Sequence, residues 1–251
     1  MVYHWGYAES KKAFGYSLDE YLTFGGYPGA DPFKKDFQRW CGYIKNSIIE
    51  AVIGRDILNF RSVAKPALFR QAFEILCHYP AQEISYSKLL GQLQDKGNTD
   101  LVKYYIELYV GAFLFKTIPK YSQKAYKKKS SSPKILPLCP ALYTMTQDVD
   151  VVKDPVRKGR IFELVVGNTL AKLPGNLYYW RESNFEVDYI YSFGKELFAI
   201  EVKSGNDKNG NGLLEFAKKY PKARQIFIDY NIFEKFEAEP LNFLRNFSSK
   251  S

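Results

Sequence analysis

The sequence predicts a multi-domain α+β protein. A helical N-terminal block is followed by a block of three helices and two strands, then by an α/β block with a mixed sheet. Three observations carry this prediction. Apolar residues recur at helical spacing through the first half of the chain. Beyond residue 148 helix-like and strand-like segments alternate, the pattern of an α/β domain. Of the 251 residues, 46% are apolar and 17% aromatic, ample for a buried core and unlike a disordered chain.

The first block, residues 1–60, holds the turn-rich stretch Phe24-Gly25-Gly26-Tyr27-Pro28-Gly29-Ala30. Asp31-Pro32 reads as an N-cap followed by a proline at the first helical position. The helix after it runs through Trp40, Tyr43, Ile44, Ile48, Val52 and Ile53, with Arg55-Asp56 near its end. On residues alone this block is a helical packing unit.

The second block, residues 61–147, opens with a helix marked by Phe69, Phe73, Ile75 and Leu76. Ser85 is a good cap for a short helix through Leu89, Leu90 and Leu93; Asp95-Lys96-Gly97 makes a turn. Asn98 then caps a third helix carrying Leu101, Val102, Tyr105 and Ile106. Two apolar segments follow, Phe113 to Ile118 and Ile135 to Leu138, separated by a Lys/Ser-rich stretch. That order suits a winged helix-turn-helix, whose third helix and wing can meet DNA. Protein docking, or a merely solvated lysine loop, are the other readings.

The third block, residues 148–251, starts with a helix over Arg160 to Leu173, ended by Pro174-Gly175. Strand-like stretches are Leu177 to Trp180, Phe185 to Tyr191, Leu197 to Val202 and Gln225 to Asp229, with a helix over Leu213 to Tyr220.

Lys and Arg number 36 against 27 Asp and Glu, a formal charge of +9 that favours an acidic partner. The charge is concentrated. From Leu108 to Gln147 there are seven lysines and no acid, and without this segment the net charge is +2. Lys120, Lys124, Lys127, Lys128, Lys129 and Lys134 of that stretch are the candidate nucleic-acid contacts. The charge is thereby expected on a different module from the chemistry. Cys41, Cys77 and Cys139 fit neither a disulfide framework nor a CxxC metal site. The longest apolar run, Leu108 to Phe115, is far too short to cross a bilayer, and the N-terminus has no signal-peptide pattern. A cytoplasmic protein without a membrane partner is expected, with the oligomeric state left open.

Chemistry is expected at Asp188, Glu201 and Lys203. Alternate residues of a strand share a face, so Glu201 and Lys203 point the same way. Gly194-Lys195 is a plausible two-residue hairpin turn, and its register places Asp188 opposite Glu201. Facing carboxylates repel unless a cation bridges them, and oxygen ligands at that separation suit Mg²⁺. Lys203 would then orient water and stabilise charge developing on a phosphate. Glu163, on the preceding helix, can add a further carboxylate. The alternative is an exposed Glu-x-Lys ion pair.

The set Glu163, Asp188 and Glu201-Val202-Lys203 resembles the PD-(D/E)xK signature of restriction-endonuclease-like phosphodiesterases. Tyr21-Leu22-Thr23-Phe24-Gly25-Gly26-Tyr27-Pro28, Gly54-Arg55-Asp56-Ile57, Gly159 to Glu163, Tyr179-Trp180-Arg181 and Glu186-Val187-Asp188 together resemble the C-terminal half of a prokaryotic AAA-type ATPase family. In that family a P-loop ATPase leads into a winged helix and then a nuclease-like domain of unassigned function. The resemblance covers nearly the whole chain. It implies that residues 1–60 are the tail of the ATPase lid, and that Asp188, Glu201 and Lys203, with Glu163 assisting, are the catalytic set, Asp188 and Glu201 holding Mg²⁺. No G-x-x-x-x-G-K-[ST] motif occurs, so no nucleotide site or ATPase activity is expected of this chain, and an ATPase domain becomes a candidate partner. Lys134 to Pro140 departs from the family, because Pro137, Cys139 and Pro140 interrupt an expected aromatic strand. The expected function is DNA binding with Mg²⁺-dependent phosphodiester hydrolysis. The competing expectation is a non-catalytic DNA-binding or protein-docking module on an inactive nuclease fold.

Overall fold

The computed structural model describes residues 4–61, 63–93, 98–122, 131–147, 150–204 and 210–247. Two short helices open the chain, Tyr7–Phe14 and Leu18–Phe24. The second is fixed by reciprocal capping: Glu20 N–H donates to Ser17 Oγ (3.2 Å) and Ser17 N–H to the Glu20 carboxylate (2.8 Å). The helix expected after Asp31-Pro32 starts later than the sequence suggests. Pro28–Phe33 is a 3₁₀ turn in which Asp31 pairs with Lys34 (3.1 Å), and Asp36 is the true cap, accepting the Gln38 and Arg39 N–H groups at 3.1 Å each. From Phe37–Tyr43 the helix widens into π windings over Ile44–Ile49 and Ala51–Ile57. Buried Ile44, Ile49, Ile53 and Ile57 are four or five residues apart, and only a winding wider than α keeps them on one face.

Residues 66–137 form helix–strand–helix–helix–strand–strand. Helix Pro66–Cys77 precedes β1 (Gln82–Glu83), and Ser85 and Asn98 cap the helices Tyr86–Gln92 and Thr99–Gly111 as their residue types predict. β2 (Phe115–Ile118) and β3 (Lys134–Pro137) complete an antiparallel sheet in the order β1-β3-β2. The prolines do not abolish β3: it is the central strand, buried at every position, with Pro137 at its end. The turn read at Asp95-Lys96-Gly97 lies outside the described residues.

A 17-residue helix, Pro155–Ala171, opens the C-terminal part, capped by Asp154 with Pro155 at its first position. β4 (Asn176–Glu182), β5 (Phe185–Phe193) and β6 (Glu196–Lys203) form an antiparallel meander, and β7 (Arg224–Asp229) lies parallel to β6 after the crossover helix Asn211–Lys219. The chain is therefore mixed α+β with a mixed sheet. Apolar residues cover both faces of this sheet. Phe162, Val165 and Val166 pack against Tyr189, Ile200 and Ile226 on one side; Leu213 and Phe216 pack against Trp180, Val187 and Ala199 on the other. Tyr7, Tyr21 and Leu22 join the first of these layers, and Glu237, near the C-terminus, accepts the Tyr7 and Ala8 N–H groups at 2.6 and 2.9 Å. A separate core joins Trp40, Ile53, Phe69, Phe73 and Tyr109. No helix among the described residues is long and apolar enough to cross a membrane. The three cysteines are buried and unbridged.

Candidate active site

The β5–β6 hairpin turns at Gly194-Lys195, with Gly194 at a φ of +59°. Its register is the one the turn dictates, from Phe193↔Glu196 through Tyr189↔Ile200. The ladder stops one pair short of Asp188 and Glu201. On the other flank of β5 the register runs from Tyr178↔Ile190 to Trp180↔Val187, so Asp188 and Tyr189 together oppose Tyr179. This is a β-bulge, which re-aims side chains and changes the alternation of its strand. Val187 and Ile190, three apart, both face the Leu213–Phe216 layer, and alternation turns Glu186 and Asp188 toward the Pro155–Ala171 helix. Instead of a backbone rung, the Asp188 carboxylate accepts the Val202 N–H of β6 at 2.7 Å.

Glu201 lies on β6 beside it, its side chain 15% exposed. One oxygen accepts Lys203 Nζ at 3.0 Å; the other, Oε2, is buried with no hydrogen-bond partner. Burial pushes the Glu201 carboxyl up to about 7, with the Asp188 charge adding to the rise and Lys203 opposing it. Burial likewise raises Asp188, against the pull of Lys134 and the Val202 N–H. Asp188 thus stands between two carboxylate–lysine pairs. Glu201 and Lys203 form one; Glu163 and Lys134 form the other, at 2.8 Å.

Lys134 corrects the sequence reading. Expected on an exposed wing as a phosphate contact, it is 2% exposed. Its ammonium lies 2.8 Å from Glu163 Oε1, 3.4 Å from Glu186 Oε1 and 3.3 Å from the Asp188 carbonyl oxygen, near the Tyr189 and Tyr179 rings. Burial works against its charge, but Glu163, Asp188 and Glu186 outweigh it and hold its pKa above the ordinary lysine value. Burial also raises Glu163, to about 8, despite Lys134. A lysine surrounded by these carboxylates is not available to DNA. Lys120 is half-buried in a single-residue bridge to Tyr179, and Lys124, Lys127, Lys128 and Lys129 lie outside the described residues.

At Lys134, charge and chemistry are not on separate modules. Tyr121, at one end of the lysine-rich stretch, packs on Tyr178, Phe216 and Tyr220, and Lys134, at the other end, enters the carboxylate group. Arg181 extends the network, binding Glu83 of β1 (2.8 Å) and Glu186 (2.6 Å), while the Tyr179 hydroxyl lies 3.0 Å from Glu83. Glu186 and Arg181 were missed as site residues. Glu186 shares the i, i+2 relation with Asp188, a signal the sequence did carry. At Gly212 the chain passes so close to β5 that an added Cβ would sit 1.8 Å from the Glu186 carbonyl oxygen.

Among the described residues, no three His, Cys, Asp or Glu side chains are grouped so as to hold a metal ion. The donor set that fits a cation is the pair Asp188 and Glu201, with the orphaned, buried Glu201 Oε2 as the atom in need of a partner. Two carboxylates suit Mg²⁺, which binds few protein ligands and retains several waters. A pocket of about 420 Å³ near Ile53, Arg70, Phe73 and Met145 lies in the other core, away from these carboxylates.

The fold and this site define a mixed α+β protein with a buried carboxylate–lysine centre assembled from both halves of the chain. Residues 15–153, more than half of the chain, match a family described as a domain of unknown function (DUF8612), and the chain belongs to that family. Residues 158–242 match a second domain of unknown function (DUF4143), found in AAA-ATPase-associated proteins. No curated protein and no solved structure matches the chain.

Proposed function

We propose that this chain is the DNA-binding, nuclease-like C-terminal portion of an AAA-type ATPase, with a Mg²⁺-dependent phosphodiesterase site on the β5–β6 hairpin. The carrying observation is the Asp188–Glu201 pair, raised in pKa and flanked by Lys203, with one buried carboxylate oxygen left without a partner. Perturbed carboxylates beside a positioned lysine are the groups that phosphodiester hydrolysis requires. Asp188 and Glu201 would hold the ion; when bound, it would supply charge stabilisation at phosphate and acidify a water. Asp188 is oriented by the Val202 N–H, and Lys203, paired with Glu201, would meet a phosphate oxygen. The order helix–β1–helix–helix–β2–β3 supports a winged helix as the DNA-binding part, and the helix–β4–β5–β6–helix–β7 order supports a restriction-endonuclease-like domain. Nicking of supercoiled plasmid tests the reading. Wild type should cut with Mg²⁺ and not with EDTA, and Lys203→Ala should abolish cutting; equal cutting by both proteins would refute the assignment.

The second reading, a non-catalytic DNA-binding or docking module, is favoured by one observation: Glu163 is tied to Lys134 rather than turned to a metal. It gives salt-sensitive DNA binding without cleavage.

A further inference from the structure

We infer that Lys134 is a built-in cation filling one of two positions beside Asp188, so that the site accepts a single divalent ion, on the Glu201 side. The inference rests on the reading that Asp188 and Glu201 bind such an ion. Asp188 is the shared member of two carboxylate pairings. Its carbonyl oxygen lies 3.3 Å from the Lys134 ammonium that pairs with Glu163, and its carboxylate accepts the Val202 N–H beside Glu201. Two-ion phosphodiesterases hold their metals roughly 3.5–4 Å apart. Here the Glu163 side is taken. The Lys134 ammonium has three N–H donors, and three oxygens surround it, from Glu163, Glu186 and the Asp188 backbone at 2.8, 3.4 and 3.3 Å.

Three features make this a fixed seat and not a surface ion pair. The lysine is 2% exposed, its strand β3 is the centre of the β1-β3-β2 sheet, and Arg181 braces Glu186 from the far side. Tethered by its own backbone, the ammonium cannot diffuse away. A second divalent ion would have to displace it or sit beside it unscreened, in a low-dielectric site. The Glu201 side differs. Lys203 engages only one of the two Glu201 carboxylate oxygens, and Oε2 is left for a metal. The site is thereby composite: the segment matching the first family supplies the cation, and the segment matching the second supplies the carboxylates.

The test is Mn²⁺ titration of the full chain by calorimetry and by the electron paramagnetic resonance signal of free Mn²⁺, which needs no DNA cleavage. Wild type should bind one ion. Lys134→Met, which keeps the stem and removes the charge, should bind two, and Lys134→Arg should bind one. The double variant Lys134→Met/Glu163→Gln should return to one. Lys134→Gln, which retains a hydrogen-bond donor for Glu163, is titrated alongside and should also bind two; it serves if the methionine variant does not fold. One ion in wild type and one in both neutral variants overturns the inference while the metal reading stands. No ion in wild type but one in the neutral variants keeps Lys134 as the built-in cation and defeats the Asp188–Glu201 metal reading. No binding in any protein overturns both.

Discussion

Raising the pH should destabilise the metal-free protein through the carboxylates around Asp188, and Glu201 gives the clearest measurement. Its carboxyl is raised from an ordinary value of 4.5 to about 7 because it is buried beside Asp188. Across that interval the folded protein keeps a proton that the unfolded chain has already released. Stability is therefore fully present below the unfolded value and declines as pH rises toward the folded one. At about 1.36 kcal/mol per pKa unit, the Glu201 contribution alone is roughly 3 kcal/mol between pH 4.5 and 8. Glu163, raised to about 8, adds in the same direction. The assay is urea unfolding in EDTA at pH 5, 6.5 and 8, on wild type and Glu201→Gln. The difference between the two proteins cancels the effect of the overall +9 charge. Glu201→Gln should gain on wild type as pH rises, by roughly 2.5 kcal/mol from pH 5 to 8. Saturating Mg²⁺ at pH 8 should restore about 2.7 kcal/mol to wild type at 100 times its Kd, and less to the variant. Parallel pH curves for the two proteins would refute the account of a buried, mutually perturbed carboxylate pair.

Further outcomes follow from the same geometry. Gly212→Ala places a methyl group 1.8 Å from the Glu186 carbonyl oxygen, so it should lower stability by roughly 2–4 kcal/mol, and an unchanged melting temperature would contradict the close approach. Tyr179→Phe removes the hydroxyl that reaches Glu83 and Ser132 and should cost about 1–2 kcal/mol in urea unfolding; a variant as stable as wild type would show that this cross-link carries no load. Replacing Lys127, Lys128 and Lys129 with Gln should flatten the salt dependence of DNA binding by up to about 0.9 log units per lysine lost, measured by fluorescence anisotropy, and an unchanged slope would remove the lysine run from the interface.

The hairpin carrying the site was legible in the sequence because its geometry is local. Gly194-Lys195 sets the turn, the period of two sets the faces, and Phe193↔Glu196 through Tyr189↔Ile200 follow residue by residue. The caps Ser85 and Asn98 were legible for the same reason, each satisfying N–H groups within three residues of itself. The Ser17–Glu20 capping box is local in the same way, a serine with a glutamate three residues on. Asp31-Pro32 has the residue types of a helix start, yet that proline belongs to a 3₁₀ turn whose aspartate pairs with Lys34.

What the sequence determined by itself is the inventory and its local order: six strand-like segments, β1 excepted, and helical periods in the right succession, an acid and a Glu-x-Lys on one hairpin, and no P-loop. Only the tertiary structure decided where the groups meet. The bulge opposite Tyr179 turned Asp188 out of the ladder, and packing of β3 against the Pro155–Ala171 helix carried Lys134 to Glu163, 29 residues away in sequence. A run of lysines fixes only the sign of the partner's charge. Whether that partner is a phosphate or the chain's own carboxylates depends on desolvation and contacts between distant segments, which no local window of sequence contains.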